Sequence, residues 1–154
     1  MVYLYQIHDQ PIVYLELQVY KMQLTLESDY AIRIIYIIAS DSAKRMDAKA
    51  ISEISGVPLR FSLKILRKLV GGGLVRSYKG TRGGYELAKE PRDISILDVV
   101  ELTEGPININ RCVSGDFICT RVKDSPCQFQ RRFDEVSRTI RDSFRALTFD
   151  RFLE

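Results

Sequence analysis

Three cysteines near the carboxyl end are the residues of this 154-residue sequence best suited to binding chemistry. Cys112, Cys119 and Cys127 are separated by six and then seven residues, in a polar stretch that also contains several Arg and Lys. Thiolates are the usual ligands of iron–sulfur clusters and also bind zinc, and nearby positive charge lowers the pKa of a thiol. The spacing differs from a C-x2-C zinc ribbon, but a flexible loop could bring three thiolates to one centre. The alternative is three unrelated small residues in a polar loop.

An odd number of cysteines favours metal or redox chemistry over a disulfide framework. Little else in the sequence suggests catalysis. His8 is the only histidine, so no Ser/His/Asp or Cys/His set can be assembled in the domain, and no phosphate-binding glycine motif is present. There is no run of 18 apolar residues and no signal peptide. We therefore expect a cytoplasmic protein that is not an enzyme and has no membrane partner.

Positive charge is concentrated in residues 42–92. This segment has twelve Lys and Arg against four Asp and Glu, whereas the other 103 residues have eleven bases and sixteen acids. An excess of eight positive charges in one module favours a polyanionic partner, most often nucleic acid. The alternative is an ordinary solvated surface.

Within this module, one basic face and one basic turn are candidates for DNA contact. Arg60, Lys64 and Arg67 are spaced four and three residues apart, so they share one face of a helix. Such a face suits contact with phosphates and base edges, whereas Lys68 is interpreted as solvated surface. Lys79, Thr81 and Arg82 belong to a glycine-rich turn, and glycine lets the backbone approach a phosphate closely.

The elements that must position these residues follow from hydrophobic periodicity. A first helix is predicted from Ser28, with Ser28 or Asp29 as its cap, and a second from Asp47 to Gly56. A third is predicted over 59–70, and two short strands around the glycine turn form a hairpin. This is a winged helix–turn–helix, whose third helix enters the DNA major groove. The apolar positions predicted to face inward are Tyr30, Ile34, Ile35, Ile38, Ala50, Ile51, Ile54, Phe61, Ile65, Leu66 and Leu69.

Two further helices are predicted beyond the hairpin. One begins at the capping box formed by Ser95 and Asp98 and ends at Gly105-Pro106. The other runs from about Pro126 to Leu147 and has a near-heptad apolar seam, which predicts pairing with the same helix of a second subunit. The alternative is packing on the chain's own domain. The seam consists of Phe129, Phe133, Val136, Ile140, Phe144 and Leu147.

The resulting fold class is mostly α with a small β-hairpin wing. We divide the chain into a DNA-binding domain over 22–92 and a region over 93–154. The second region contains a linker helix, a cysteine loop at 106–126 and a dimerisation helix. Residues 1–21 alternate like a strand, but no following segment is an obvious partner. They are interpreted as an appendage, or as residues before the biological start at Met22.

The chain from Met22 resembles the Rrf-two family of bacterial winged-helix repressors. The resemblance covers about residues 22–150 and depends on the strings MQLTLESDYAIR, AKAISEISGVPLRFSLKILRKLVGGGLVRSYKGTRGGYELAKEP and SILDVVELTEG. It implies a homodimer joined by the long C-terminal helix. It also implies DNA binding by the helix at 59–70 and the wing at 79–84.

The resemblance further implies that Cys112, Cys119 and Cys127 bind an iron–sulfur cluster with one additional ligand. IscR-like members use a histidine three residues after the last cysteine, but Gln130 stands there. NsrR-like members use an aspartate of the other subunit, eight residues into the chain. Counted from Met22, that residue is Asp29, so this chain looks more like the second kind. The cysteine spacing leaves a [2Fe-2S] or a [4Fe-4S] cluster open.

The leading hypothesis is a dimeric transcriptional regulator of a two-fold operator in double-stranded DNA, which senses iron–sulfur, redox or nitric oxide status through a cluster. The alternative is the same module with zinc or bare thiols as a redox switch. An iron–sulfur electron carrier is disfavoured by the basic module.

Overall fold

The computed structural model describes residues 23–41, 44–115, 118–120 and 127–153. Residues 1–21, with their strand-like alternation, lie outside this part of the chain. The described residues form a helical domain with one two-stranded sheet. The helices are α1 (Leu26–Ser40), α2 (Ala48–Ser55), α3 (Leu59–Gly71), α4 (Ile96–Glu104) and α5 (Gln128–Arg145), and the strands are β1 (Val75–Tyr78) and β2 (Gly84–Leu87). None of these helices is long and apolar enough to span a lipid bilayer.

Helix α1 is the centre of the core and contacts α2, α3 and α4. Ile34, Ile35 and Ile38 are fully buried, as predicted. The cap prediction was wrong, because the helix begins earlier. Thr25 caps it by accepting a hydrogen bond from the backbone N–H of Ser28, which lies in the first turn.

Helix α2 begins after Asp47 and ends at Gly56, as predicted. The Asp47 side chain caps α2 by accepting hydrogen bonds from two backbone N–H groups. Gly56 ends the helix with a φ of 69°, in the left-handed region that favours glycine. Pro58 lies directly before α3. The helix ends at Gly71, one residue after the predicted end, and Gly72 caps it.

Two apolar positions in this unit were assigned to the wrong side. Ile54 is 60% exposed and Phe61 is 50% exposed, whereas the adjacent Ser55 and Ser62 are buried. One residue along a helix is a rotation of about 100°, so each serine occupies the inward position instead. The Ser62 hydroxyl donates to the carbonyl oxygen of Val57 at 3.1 Å, which satisfies a buried polar group inside the turn.

The hairpin is antiparallel, with Val75 opposite Leu87 and Tyr78 opposite Gly84. Met46, just before α2, adds a bridge to it by exchanging backbone hydrogen bonds with Tyr85 at 3.1 and 2.8 Å. Gly84 has a φ of 140°, and a Cβ there would lie 2.8 Å from the Met46 carbonyl oxygen. Glycine is therefore required where the chain before α2 crosses the wing.

Helix α4 confirms the predicted capping box. The Ser95 hydroxyl accepts from the Asp98 backbone N–H, and the Asp98 carboxylate accepts from the Ser95 backbone N–H at 2.7 Å. After α5, the chain returns to this region. Phe149 is 1% exposed in the core, and its N–H donates to the Ile94 carbonyl at 3.0 Å. Phe149 was not among the residues predicted to face inward.

Candidate nucleic-acid interface and cysteine segment

The basic face of α3 is exposed and borders an open groove of about 740 Å³. Arg60, Lys64 and Arg67 line it together with apolar parts of the same helix. Among the described residues, no carboxylate forms an ion pair with Arg60 or Arg67. Their guanidinium groups therefore face solvent and can pair with phosphate or guanine edges.

Lys64 and Lys68 share one carboxylate. The Lys64 ammonium is 3.2 Å and the Lys68 ammonium 3.1 Å from the carboxylate of Glu27 in the first turn of α1. The hydrogen bond from Lys68, supported by Lys64, holds the pKa of Glu27 below its usual value of 4.5 although burial acts against this. Lys68 also donates to the Thr103 carbonyl oxygen at 2.8 Å. The interpretation of Lys68 as solvated surface was therefore wrong, because its ammonium joins three helices.

The tip of the wing presents Lys79, Thr81 and Arg82, all of which are exposed. Gly83 closes the turn, and a Cβ there would lie 2.5 Å from the Tyr78 carbonyl oxygen. A larger residue would therefore force the turn open. The tip combines two cations and a hydroxyl on a narrow backbone, which suits contact with a DNA strand.

The base of the wing is stabilised by three side chains that the sequence analysis did not connect. The Arg45 guanidinium carbon lies 3.5 Å from the centre of the Tyr78 ring, and Arg45 Nε donates to Glu86 at 2.9 Å. The Tyr78 hydroxyl donates to the same carboxylate at 2.7 Å. The Tyr78 hydroxyl first, and then Arg45, hold the pKa of Glu86 below its usual value. Arg45 and Glu86 are 41 residues apart, so no local signal in the sequence links them.

The three cysteines are half-buried and form no disulfides with one another. Cys112 lies in a short 3-10 turn, where its N–H donates to the Asn110 side chain, and Cys127 is the residue directly before α5. As donors, three thiols suit an iron–sulfur centre. Within the described ranges, however, no group of three Cys, His, Asp or Glu is placed to hold a metal ion. The arrangement therefore has the donor type of a cluster but does not gather the donors.

Asp29 does not cap α1 and is not gathered with the cysteines in this chain. Its carboxylate forms an ion pair with Arg33 at 2.7 Å, one turn along the helix, and both side chains are about half exposed. Such a pair on a helix surface contributes little to stability.

The apolar seam of α5 divides into two sets. Phe129 and Val136 are 56% and 46% exposed, and Leu147, which lies two residues beyond the end of α5, is 39% exposed. The other three positions are half-buried. The half-buried set includes Phe144, which packs against the core of the same chain. The packing alternative thus accounts for part of the seam, whereas Phe129, Val136 and Leu147 remain partly exposed. In α5, whose residues are all described, Ser137 alone is buried, and its hydroxyl accepts from the Ile109 N–H at 3.2 Å.

A family model described as Rrf2, an iron-dependent transcriptional regulator, matches residues 24–154. The chain belongs to the Rrf2 family. A relative in Aquifex aeolicus, whose name describes it as an HTH-type transcriptional regulator, is 30% identical over 119 residues, which cover 77% of this chain and 83% of the relative. The HTH-type transcriptional regulator NsrR of Shouchella clausii is 34% identical over 92 residues, covering 59% and 62% of the two chains.

Solved structures show the same fold. CymR of Bacillus subtilis, the global cysteine regulator of that organism, superposes with a TM-score of 0.69 at 19% identity, covering 86% of this chain and 97% of CymR. The IscR of T. potens also superposes with a TM-score of 0.69, at 22% identity and 86% coverage of both chains. The predicted fold class is confirmed. This Rrf2 chain is a transcriptional regulator, and its relatives are not enzymes.

Proposed function

We propose that this Rrf2 regulator binds a two-fold operator as a homodimer and that Cys112, Cys119 and Cys127 control the binding by holding an iron–sulfur cluster. The observation that carries the proposal is the exposed basic face of α3 beside the basic wing. Together these two surfaces form a DNA-reading unit. Since the target of such a regulator is chromosomal DNA, we place its activity in the cytoplasm.

Three features support DNA contact by this unit. Arg60 and Arg67 expose guanidinium groups that no described carboxylate neutralises, and Lys64 lies between them on the same helix face. Arg82 and Lys79 extend the positive charge to the wing tip. A helix in the major groove and a hairpin along the backbone is the usual arrangement of a winged helix. The α3 cations then read bases and the wing cations bind phosphate.

Exposed apolar side chains on α5 support the homodimer. Phe129 and Val136 are about half exposed. They lie on the seam with Phe133, at spacings of four and three residues along the helix. A second copy of α5 would cover this strip, because a heptad seam is complementary to itself. Two copies related by a two-fold axis would present two α3 helices to a two-fold operator.

The cluster is supported by the three soft donors and by the description of the family as iron-dependent. Cys112, Cys119 and Cys127 would supply thiolates to a [2Fe-2S] or [4Fe-4S] cluster, and Asp29 of a second copy would supply an oxygen ligand. A bound cluster would add redox chemistry at this loop. In a second candidate, the thiols themselves or zinc act as the switch. One observation favours its bare-thiol form: the described residues do not gather three donors for a metal ion.

Anaerobic purification tests the proposal. We expect a coloured protein that contains iron and acid-labile sulfide, and whose affinity for a duplex selected from random DNA changes after iron is removed with a chelator. Zinc alone, or no metal with an effect of thiol alkylation on affinity, would favour the second candidate. Failure to select any DNA sequence would contradict the assignment of α3 and the wing as the reading surfaces.

A further inference from the structure

The C-terminal end of α4 is fastened to two other helices at one point. The Thr103 carbonyl oxygen accepts a hydrogen bond from Lys68 of α3 at 2.8 Å, and the Thr103 hydroxyl is 2.7 Å from that of Ser28 in α1. The neighbouring Glu104 accepts from the backbone N–H of Thr25 at 2.8 Å. Burial acts to raise the pKa of Glu104, but hydrogen bonds from Ser28 and Thr25 outweigh it and lower the pKa. These polar contacts join α1, α3 and α4 at one point.

The helices also pack tightly at this point. A Cβ added at Gly72, directly after α3, would lie 2.5 Å from a methyl carbon of Leu102 in α4. Because such close packing transmits displacement, a shift of the end of α4 moves the end of α3.

The segment that contains the cysteines, here called the cysteine segment, begins at Gly105, directly after α4. Seven residues separate Glu104 from Cys112, and they are held along α5. Arg141 donates to the Ile107 carbonyl at 2.8 Å, and the Ile109 N–H donates to Ser137. A rearrangement around Cys112 therefore acts on the short segment 105–111, which leads back to Thr103 and Glu104.

We propose that Lys68 is the positioning residue through which the cysteine segment controls the DNA-reading face of α3. The inference rests on the proposed function, because it requires the cysteines to influence DNA binding. Lys68 itself does not border the groove lined by Arg60, Lys64 and Arg67. Along the helix, Lys68 lies about 100° from Arg67 and about 40° from Lys64, at the edge of the reading face where Glu27 contacts both lysines.

Glu27 links Lys68 to the reading face, because its carboxylate also binds Lys64. While Thr103 and Glu27 both bind Lys68, the Glu27 carboxylate is shared between two ammonium groups. If the end of α4 moves away and takes Lys68 with it, Glu27 is left to Lys64 alone. Lys64 is then held more firmly by Glu27 and is less available to a phosphate. The two arrangements give the cysteine segment and the DNA a common two-state element.

A double-mutant cycle tests the inference. The affinity for a selected duplex is measured with the native cysteines and with Cys112, Cys119 and Cys127 all replaced by serine, each with and without Lys68→Met. With Lys68 present, we expect the serine substitutions to change Kd by about fivefold or more, the usual range of allosteric coupling. With Lys68→Met, we expect the factor to fall below about twofold, as for independent sites. Lys68→Arg, which keeps the charge and a donor, should restore most of the factor.

The matched control is Lys49→Met, which removes an equally charged side chain from an exposed pair with Glu53 on α2. It should leave the coupling factor at its native value. Thermal melting confirms that each variant is folded, and Glu27→Gln replaces Lys68→Met if the latter does not fold.

The inference is overturned if the serine substitutions change Kd by the same factor in Lys68→Met as in the protein with native Lys68. A decrease of about one in the slope of log affinity against log salt for Lys68→Met also overturns the inference, because Lys68 would then be a phosphate contact. If the serine substitutions leave Kd unchanged in the protein with native Lys68, the cysteines do not control DNA binding. That result overturns the proposed function and the coupling that rests on it.

Discussion

The guanidinium group of Arg45 stacks on the ring of Tyr78, with 3.5 Å between the guanidinium carbon and the ring centre. Arg45 precedes α2 and Tyr78 ends β1, so the contact joins the helix–turn–helix to the wing. Glu86 binds both side chains from β2. The orientation of the wing relative to α3 is therefore set by side chains as well as by the Met46–Tyr85 backbone bridge.

Arg45→Ala is expected to weaken operator binding by about twofold to fivefold, the range of an exposed cation–π contact. The loss arises because the wing is less well oriented, so the dependence of affinity on salt should stay unchanged. Fluorescence anisotropy at several salt concentrations measures both quantities. Arg92→Ala, which removes another exposed cation outside the site, is the control. A salt slope reduced by about one in Arg45→Ala would show that Arg45 binds phosphate directly.

Arg60→Ala and Lys64→Ala are each expected to cost about 1–3 kcal/mol of operator binding, because these side chains lie on the reading face of α3. Arg82→Ala at the wing tip should weaken all DNA sequences alike and lower the salt slope by about one. Anisotropy titrations with the selected duplex and a scrambled duplex separate the two effects. Lys49→Ala on α2 serves as the control. Native affinity and salt slope in all three variants would contradict the assignment of the reading surface.

Val136→Glu is expected to convert the proposed dimer to monomers, because Val136 is 46% exposed on α5 and a charge there would face a second copy. Its thermal stability as a monomer should change little. Phe144→Ala should behave differently and lose about 3 kcal/mol of unfolding free energy, since Phe144 packs against the core of its own chain. Analytical ultracentrifugation and thermal melting measure the two properties. A Val136→Glu protein that still sediments as a dimer would mean that α5 does not form the interface.

Asp29→Ala is expected to alter the visible spectrum and shorten the lifetime in air of the anaerobically reconstituted protein, because it would remove the proposed oxygen ligand. Arg33→Ala is the matched control: it breaks the same 2.7 Å ion pair but keeps the carboxylate. Both changes should cost less than about 1 kcal/mol of stability, as is usual for exposed pairs. An unaltered cluster in Asp29→Ala would exclude Asp29 as a ligand.

Glu27 is expected to make the stability depend on pH in the acid range. Its pKa is lower in the folded chain than the usual 4.5, because Lys68 and Lys64 stabilise the carboxylate. The contribution of Glu27 is therefore complete above pH 4.5, and it is lost as pH falls through the lower folded-state pKa. Urea unfolding of the native protein and of Glu27→Gln should differ most near pH 7 and least in strong acid. Glu53→Gln on α2, which removes a carboxylate from an exposed pair with Lys49, serves as the control. A constant difference across this range would show that Glu27 is not stabilised by its charge.

Much of the architecture was predictable because the signals are local. The Ser95–Asp98 capping box, the Asp47 cap and the left-handed Gly56 each depend on groups within four residues of one another. The hairpin follows from glycines between two short apolar strands. The exposed charges of α3 follow from helical periodicity, since three and four residues bring side chains to one face.

Tertiary structure decided the features that depend on how helices meet. Ser62 rather than Phe61 turns inward, and its buried hydroxyl donates to the Val57 carbonyl oxygen, which also accepts from Ser52. Lys68 became a contact between helices because Glu27 and Thr103, 41 and 35 residues away, converge on its ammonium. Phe149 entered the core because the chain after α5 returns to α4. The sequence by itself therefore determined the elements and their charged faces, since hydrogen bonds within a few residues specify these. Which face each helix buries and which cation is neutralised were decided only when distant elements packed together.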